Sequence, residues 1–213
     1  PEVPKVPEVA GAPGAPGASD VSDASDVGDL EDTPEQWPVA ESHDLHRDDW
    51  VVALRSDEVR TPDGRTARRL TLEHPGAAVV LAVDDEDRVL VLRQYRHAAG
   101  RRFVEIPAGL CDGEPGEEPL EVARRELREE AQLAATDWTH LTSTYASPGI
   151  SQEVQHLYLA RGLSPADRGD FELRHEEADM TSHWVAFADL YDAVLAGRVT
   201  DGPVIASVLL ARA

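Results

Sequence analysis

The sequence predicts an α/β (α+β) layered domain preceded by a small antiparallel β-sheet. Three observations carry this. Ala77 to Val83, AAVVLAV, is a continuous apolar run bounded by turn residues, the pattern of a buried strand. Pro119 to Ala131, PLEVARRELREEA, places Leu120, Ala123, Leu127 and Ala131 at intervals of three or four, the stripe of an amphipathic helix. Between Trp37 and His74, short strand-like runs flank a turn at Pro62-Asp63-Gly64. From residue 75 onward strands and helices intermix, as in a layered α/β domain.

The elements follow in order. Residues 1–35 combine short imperfect repeats, PEVPKVPEV and GAPGAPGA, with an acidic Ser/Asp tract. Bulky apolar residues are too sparse there to offset the entropy of ordering, so the segment reads as a disordered acidic tail. Residues 36–74 read as an N-terminal β-sheet, clearest at Trp50 to Leu54 and Arg68 to His74. About forty residues make a poor independent domain. This sheet is expected to pack on the following domain, residues 75–213, or on a second subunit. Within that domain, Val89 to Arg96 returns from Ala77 to Val83 through a polar turn, and Phe103 to Ile106 is a further strand. Pro107-Ala108-Gly109 breaks regular structure and leads into a loop rich in turn formers, ending at Pro119 in the first helical turn. Strands are expected at His140 to Tyr145, Val154 to Ala160 and Ser182 to Phe187, with a polar loop over residues 161–179. Asp189 caps a helix that Gly197 stops, and Pro203 to Ala211 closes the chain as an apolar helix.

Composition narrows the function. The formal net charge of -21 disfavours contact with nucleic acid or anionic membrane, although metal ions can reconcile it with a phosphate-bearing substrate. The single cysteine, Cys111, allows no intrachain disulfide, and no apolar run approaches a membrane span, so a cytoplasmic protein is the expectation. Cys111 has no histidine nearby in sequence to activate it as a nucleophile. His43 and His46 lack a third nearby ligand and read as surface residues.

The chemistry gathers on the acidic helix. Glu129 and Glu130 sit over Glu126 on one helical face, and Glu117 lies just upstream. Carboxylates so spaced repel, and either Arg124, Arg125 and Arg128 or a bound cation must compensate. Glu117, seven residues, then Arg125-Glu126-Leu127-Arg128-Glu129-Glu130 resembles the box of the Nudix hydrolase family. The box glycine would fall on Cys111. The loop begins instead at Gly109, which implies a two-residue insertion, and Gln132 replaces a glycine at the helix end. IPAGL, RQYRH, SPG with Glu153, and HEEADM also resemble the ADP-ribose pyrophosphatase branch.

The resemblance implies a Nudix α/β/α sandwich with a mixed sheet, and hydrolysis of ADP-ribose or a related nucleoside diphosphate sugar to AMP and a sugar phosphate. It implies Mg²⁺ or Mn²⁺, two or three ions, held by Glu126, Glu130, Glu129 and the Ala108 carbonyl. Arg125 would brace the acidic side chains, and Glu176 or Glu177 would supply a general base or complete a metal site. Arg96, Glu153 and, across a homodimer, Trp37 would hold the substrate, with Trp50 a further candidate. A different diphosphate, such as another nucleotide sugar, FAD or a dinucleotide, and a catalytically silent nucleotide-sugar sensor are the alternatives.

Overall fold

The apolar run at residue 77 is the central strand of the molecule. A computed structural model describes residues 30–49, 51–114, 116–169, 171 and 178–212. Most of the acidic tail, Trp50, Glu176 and Glu177 lie outside them. In chain order the strands are β1 (Val39–His46), β2 (Ala53–Arg60), β3 (Thr66–Glu73), β4 (Ala77–Ala82), β5 (Arg88–Arg96), β6 (Arg101–Glu105) and β7 (Ala108–Leu110). Helix α1 (Pro119–Ala131) is followed by β8 (Leu133–Tyr145), β9 (Val154–Pro165), β10 (Thr181–Ala186), α2 (Phe187–Leu195) and α3 (Gly202–Arg212).

β4 pairs in parallel with β9 and antiparallel with β7, and β8 lies antiparallel beyond β9, giving a mixed sheet in the order β7-β4-β9-β8. Successive side chains of a strand point to opposite faces. Ala78, Val80 and Ala82 pack with Val122, Ala123 and Leu127 of α1. Val79 and Leu81 pack on the other side with Leu190 and Val194 of α2 and Val204 and Val208 of α3. Helices cover both faces, which is why β4 is apolar throughout rather than alternating. The layers are α/β/α. A second, antiparallel sheet in the order β10-β5-β6 shares this core through Val89 and Val91.

The N-terminal strands form their own antiparallel sheet, β1-β2-β3. Its interior is polar: buried Asp57 accepts hydrogen bonds from Ser42 at 2.6 Å, Arg55 at 2.9 Å and Thr71 at 3.1 Å. β3 is tied to the loop before β9 by the Leu72 N–H, which donates to the Ile150 carbonyl at 2.7 Å.

Several elements differ from the sequence expectation. β2 runs from Ala53 to Arg60 instead of ending at Leu54. β7 occupies the Ala108–Leu110 stretch expected to be irregular, because the edge of β4 offers it ladder partners. β8 and β9 extend to Leu133 and Pro165, pairing Leu133 with Pro165. These extensions are held by the ladder between them, and Leu133, Ala135, Trp138 and Leu163 pack from them against the core beside α1. α2 begins at Phe187 with Ala186 at its cap, and Asp189 lies in its first turn, favouring the positive helix end without capping it. No helix among the described residues is long and apolar enough to cross a membrane.

Candidate active site

Helix α1 presents its carboxylates to a cleft of about 770 Å³. The apolar stripe of α1 is buried under β4, and this orients the acidic face toward β7 and the loop before the helix. The cleft brings together Ala108, Arg125, Glu126, Glu129 and Glu130 with Arg96 on β5 and Glu153 ahead of β9. Seven residues singled out from the sequence therefore meet in one place. Trp37 is 39% exposed ahead of β1 and is not among the residues lining the cleft.

The carboxylates are held closely. Glu126 and Glu130 are buried. Glu130 Oε2 accepts the Ala108 N–H at 3.0 Å, which clamps the helix to β7. Arg125 donates to Glu126 Oε1 at 2.9 Å and lies 3.8 Å from Glu129 and 3.7 Å from Glu117. Arg125 thus lies among Glu117, Glu126 and Glu129. Glycine is required beside it for space: a Cβ at Gly109 would overlap the Glu126 carboxyl, and one at Gly113 would overlap Glu117 Oε2.

This placement leaves charge unanswered. Glu117 Oε2 and Arg125 Nη2 are buried and make no hydrogen bond among the described residues. At 3.7 Å they are too far apart to satisfy each other. Among the described residues no three acidic, thiol or imidazole side chains already converge as a metal cage, and Arg125 occupies the position among Glu117, Glu126 and Glu129. The donor set nevertheless fits a hard divalent cation: carboxylate and carbonyl oxygens, one of them, on Glu117, buried without a hydrogen-bond partner.

The opposite wall carries Arg96. Its Nε and Nη2 donate to Glu105, the shortest contact being 2.6 Å, and this bidentate pairing keeps the guanidinium firmly protonated. Glu153 accepts from Gln155 at 2.9 Å. Glu105 and Asp201 also line the cleft and were not singled out from sequence. Asp201 precedes α3, and its Oδ1 accepts the Val204 N–H at 3.1 Å. An Asp-Gly-Pro sequence before an apolar run could have marked it as a helix cap. Its approach to Arg96 is a tertiary fact with no local signal. Burial raises the Cys111 thiol above its ordinary range, helped by Glu117 and Asp112, so it is not a ready nucleophile.

The NUDIX domain family matches residues 72–208. The ADP-ribose pyrophosphatase of Mycobacterium tuberculosis is 44% identical over 163 residues, 76% of this chain and 77% of that protein. The ADP-ribose pyrophosphatase of Bacillus subtilis is 43% identical over 114 residues, 54% of this chain and 60% of that protein. A crystal structure of an ADP compounds hydrolase superposes with a TM-score of 0.68 at 19% identity, covering 85% of this chain and 95% of the other, a likeness of fold.

Proposed function

The chain belongs to the Nudix family, and we propose that it is an ADP-ribose pyrophosphatase, splitting the diphosphate of ADP-ribose or a related nucleoside diphosphate sugar into a nucleoside monophosphate and a sugar phosphate. The observation that carries this is the meeting of Glu126, Glu129 and Glu130 with Arg96 and Glu153 in one cleft.

Glu126, Glu130, Glu129 and the Ala108 carbonyl would hold Mg²⁺ or Mn²⁺, two or three ions. Such ions neutralise a diphosphate and lower the pKa of a bound water. The protein's own groups supply the rest. Arg125 keeps the carboxylates in register through charge-assisted hydrogen bonds. Arg96, its guanidinium fixed by Glu105, offers its remaining N–H groups to a phosphate. Glu153, steadied by Gln155, faces the same space and takes a sugar hydroxyl. Glu176 or Glu177 supplies the general base or completes a metal site.

The same reading includes a homodimer formed through residues 36–74, in which Trp37 stacks on the base of a substrate held by the other copy. Exposed Val39, Leu45 and Leu70 on that sheet support it. A cytoplasmic setting suits the single cysteine.

Glu130→Gln tests the assignment. A glutamine carbonyl can still accept the Ala108 N–H, so the helix clamp survives while the charge is lost. Turnover of ADP-ribose with Mg²⁺, followed as AMP release, is expected to fall about 100-fold or more. Equal turnover of variant and wild type would remove Glu130 from the machinery. A panel of ADP-ribose, other nucleotide sugars, FAD and dinucleotides, with products identified by mass spectrometry, ranks the substrates.

A further inference from the structure

Arg96 is half exposed, and one edge of its guanidinium is already committed. Nε donates to Glu105 Oε1 at 3.0 Å and Oε2 at 3.2 Å, and Nη2 donates to Oε2 at 2.6 Å. Glu105 is buried and lines the same cleft, so one edge of the Arg96 guanidinium is held against it there. Asp201 enters the same cleft from the turn ahead of α3. Its Oδ1 holds the Val204 N–H, and no other side-chain hydrogen bond of Asp201 occurs among the described residues. A second carboxyl therefore lines the same cleft as an ion pair that is already neutral without it, close enough for its charge to act on Arg96.

We propose that Asp201 is a positioning residue for the cleft arginine: its negative charge competes with the substrate diphosphate for Arg96 and so sets how tightly the substrate is held. The inference rests on Arg96 gripping phosphate, as in the function proposed above. Burial pushes the Asp201 carboxyl up to about 6, reinforced by Glu105 and opposed by the Val204 N–H and Arg96. Below that pH Asp201 is neutral, and Arg96 and Glu105 balance. Above it the three groups carry a net negative charge, and the diphosphate, ionised throughout this range, meets repulsion at its own binding group. KM therefore rises as pH passes upward through about 6, and kcat is little affected. The charged groups facing Asp201 are Arg96 from β5 and Glu105 from β6; Glu130 of α1 and His74 after β3 share the cleft. The effect is accordingly assigned by a variant of Asp201 and not by the wild-type profile alone.

Asp201→Asn keeps a good helix cap while removing the charge. The measurement is kcat and KM for ADP-ribose with Mg²⁺ from about pH 5 to about pH 8. Wild-type KM is expected to rise about three- to tenfold across the range, while the variant stays near the low-pH value with kcat within about twofold. Asp201→Glu should restore the rise. A variant whose KM climbs in parallel with wild type overturns the proposal, as does one that loses kcat at unchanged KM. A measurement on the wild type alone guards against a misfolded variant. Binding and protonation are reciprocal, so bound ADP-ribose must raise the titration midpoint of Asp201 seen by carboxyl-carbon NMR. An unmoved midpoint overturns the proposal. Wild type that neither binds nor cleaves ADP-ribose at any pH defeats the functional reading and this inference with it. An active wild type with an indifferent Asp201 defeats the inference alone.

Discussion

Gly109 shows how much of the site depends on a missing methyl group. Its backbone is not in the left-handed region, so no turn demands glycine there. What demands it is the Glu126 carboxyl, which occupies the space a Cβ would need. At Gly113 the overlap is with the terminal Glu117 oxygen alone, the end of a side chain that can shift, so the demand for glycine there is weaker. Gly109→Ala must push Glu126 away from Arg125, breaking the 2.9 Å hydrogen bond. Overpacking at a buried position costs about 1–3 kcal/mol. We expect Gly109→Ala to lower kcat for ADP-ribose at least about tenfold, with a urea midpoint reduced in proportion to that cost. Full activity with a displaced Glu126 would mean that its position is not needed for the chemistry.

At the scale of the element, α1 is the best-read part of the chain and its end is the most informative departure. The helix spans Pro119–Ala131, the bounds its apolar stripe predicts, because one face is buried against β4 and little else competes. It stops at Gln132, which adopts the left-handed conformation, φ 53° and ψ 41°, that a glycine would take without strain. A non-glycine residue there costs roughly 1–2 kcal/mol, part of which glycine returns through the entropy of the unfolded chain. The Gln132 backbone is fully used: its N–H donates to the Arg128 carbonyl at 3.0 Å and its own carbonyl accepts the Ala166 N–H at 2.8 Å. Gln132→Gly keeps both bonds. We expect it to stabilise the protein by about 0.5–1 kcal/mol in urea unfolding with kcat unchanged; a destabilised variant would show that the glutamine side chain has a role of its own. Elements with a buried face, such as α1, β4 and β5, were legible from periodicity. β7 was not, because its ladder with β4 leaves no local pattern, and the outer halves of β8 and β9 were not, because they bury only scattered residues such as Leu133, Ala135, Trp138 and Leu163. The site divides the same way. Arg125, Glu126, Glu129 and Glu130 lie within one helix at fixed spacing and could be read together. Glu105 reaches Arg96, and Asp201 the cleft they share, only through the packing of β6 and α3, and no sequence window contains that meeting.

The whole molecule carries a formal net charge of -21, and the substrate proposed for it is itself an anion. Two opposing fields follow. Close to the reacting groups, Arg96, Arg125 and bound cations attract a diphosphate. At longer range the acidic surface repels it, and a field of one sign alters the encounter with a charged ligand steeply with ionic strength. Raising salt from about 10 mM to about 150 mM shortens the screening length from roughly 30 Å to roughly 8 Å. That change removes most of the long-range repulsion and leaves contacts of 3–4 Å nearly intact. Salt should therefore help this protein bind its substrate, the reverse of what a basic phosphate-binding surface shows. With free Mg²⁺ held constant, KM for ADP-ribose is expected to fall by about two- to fivefold over that range of KCl, with kcat unchanged. A KM that rises with salt would mean that the potential at the cleft mouth is positive. In that case Arg96 and Arg125, two arginines among seven carboxylates lining the cleft, would be governing the approach of the substrate as well as its final grip.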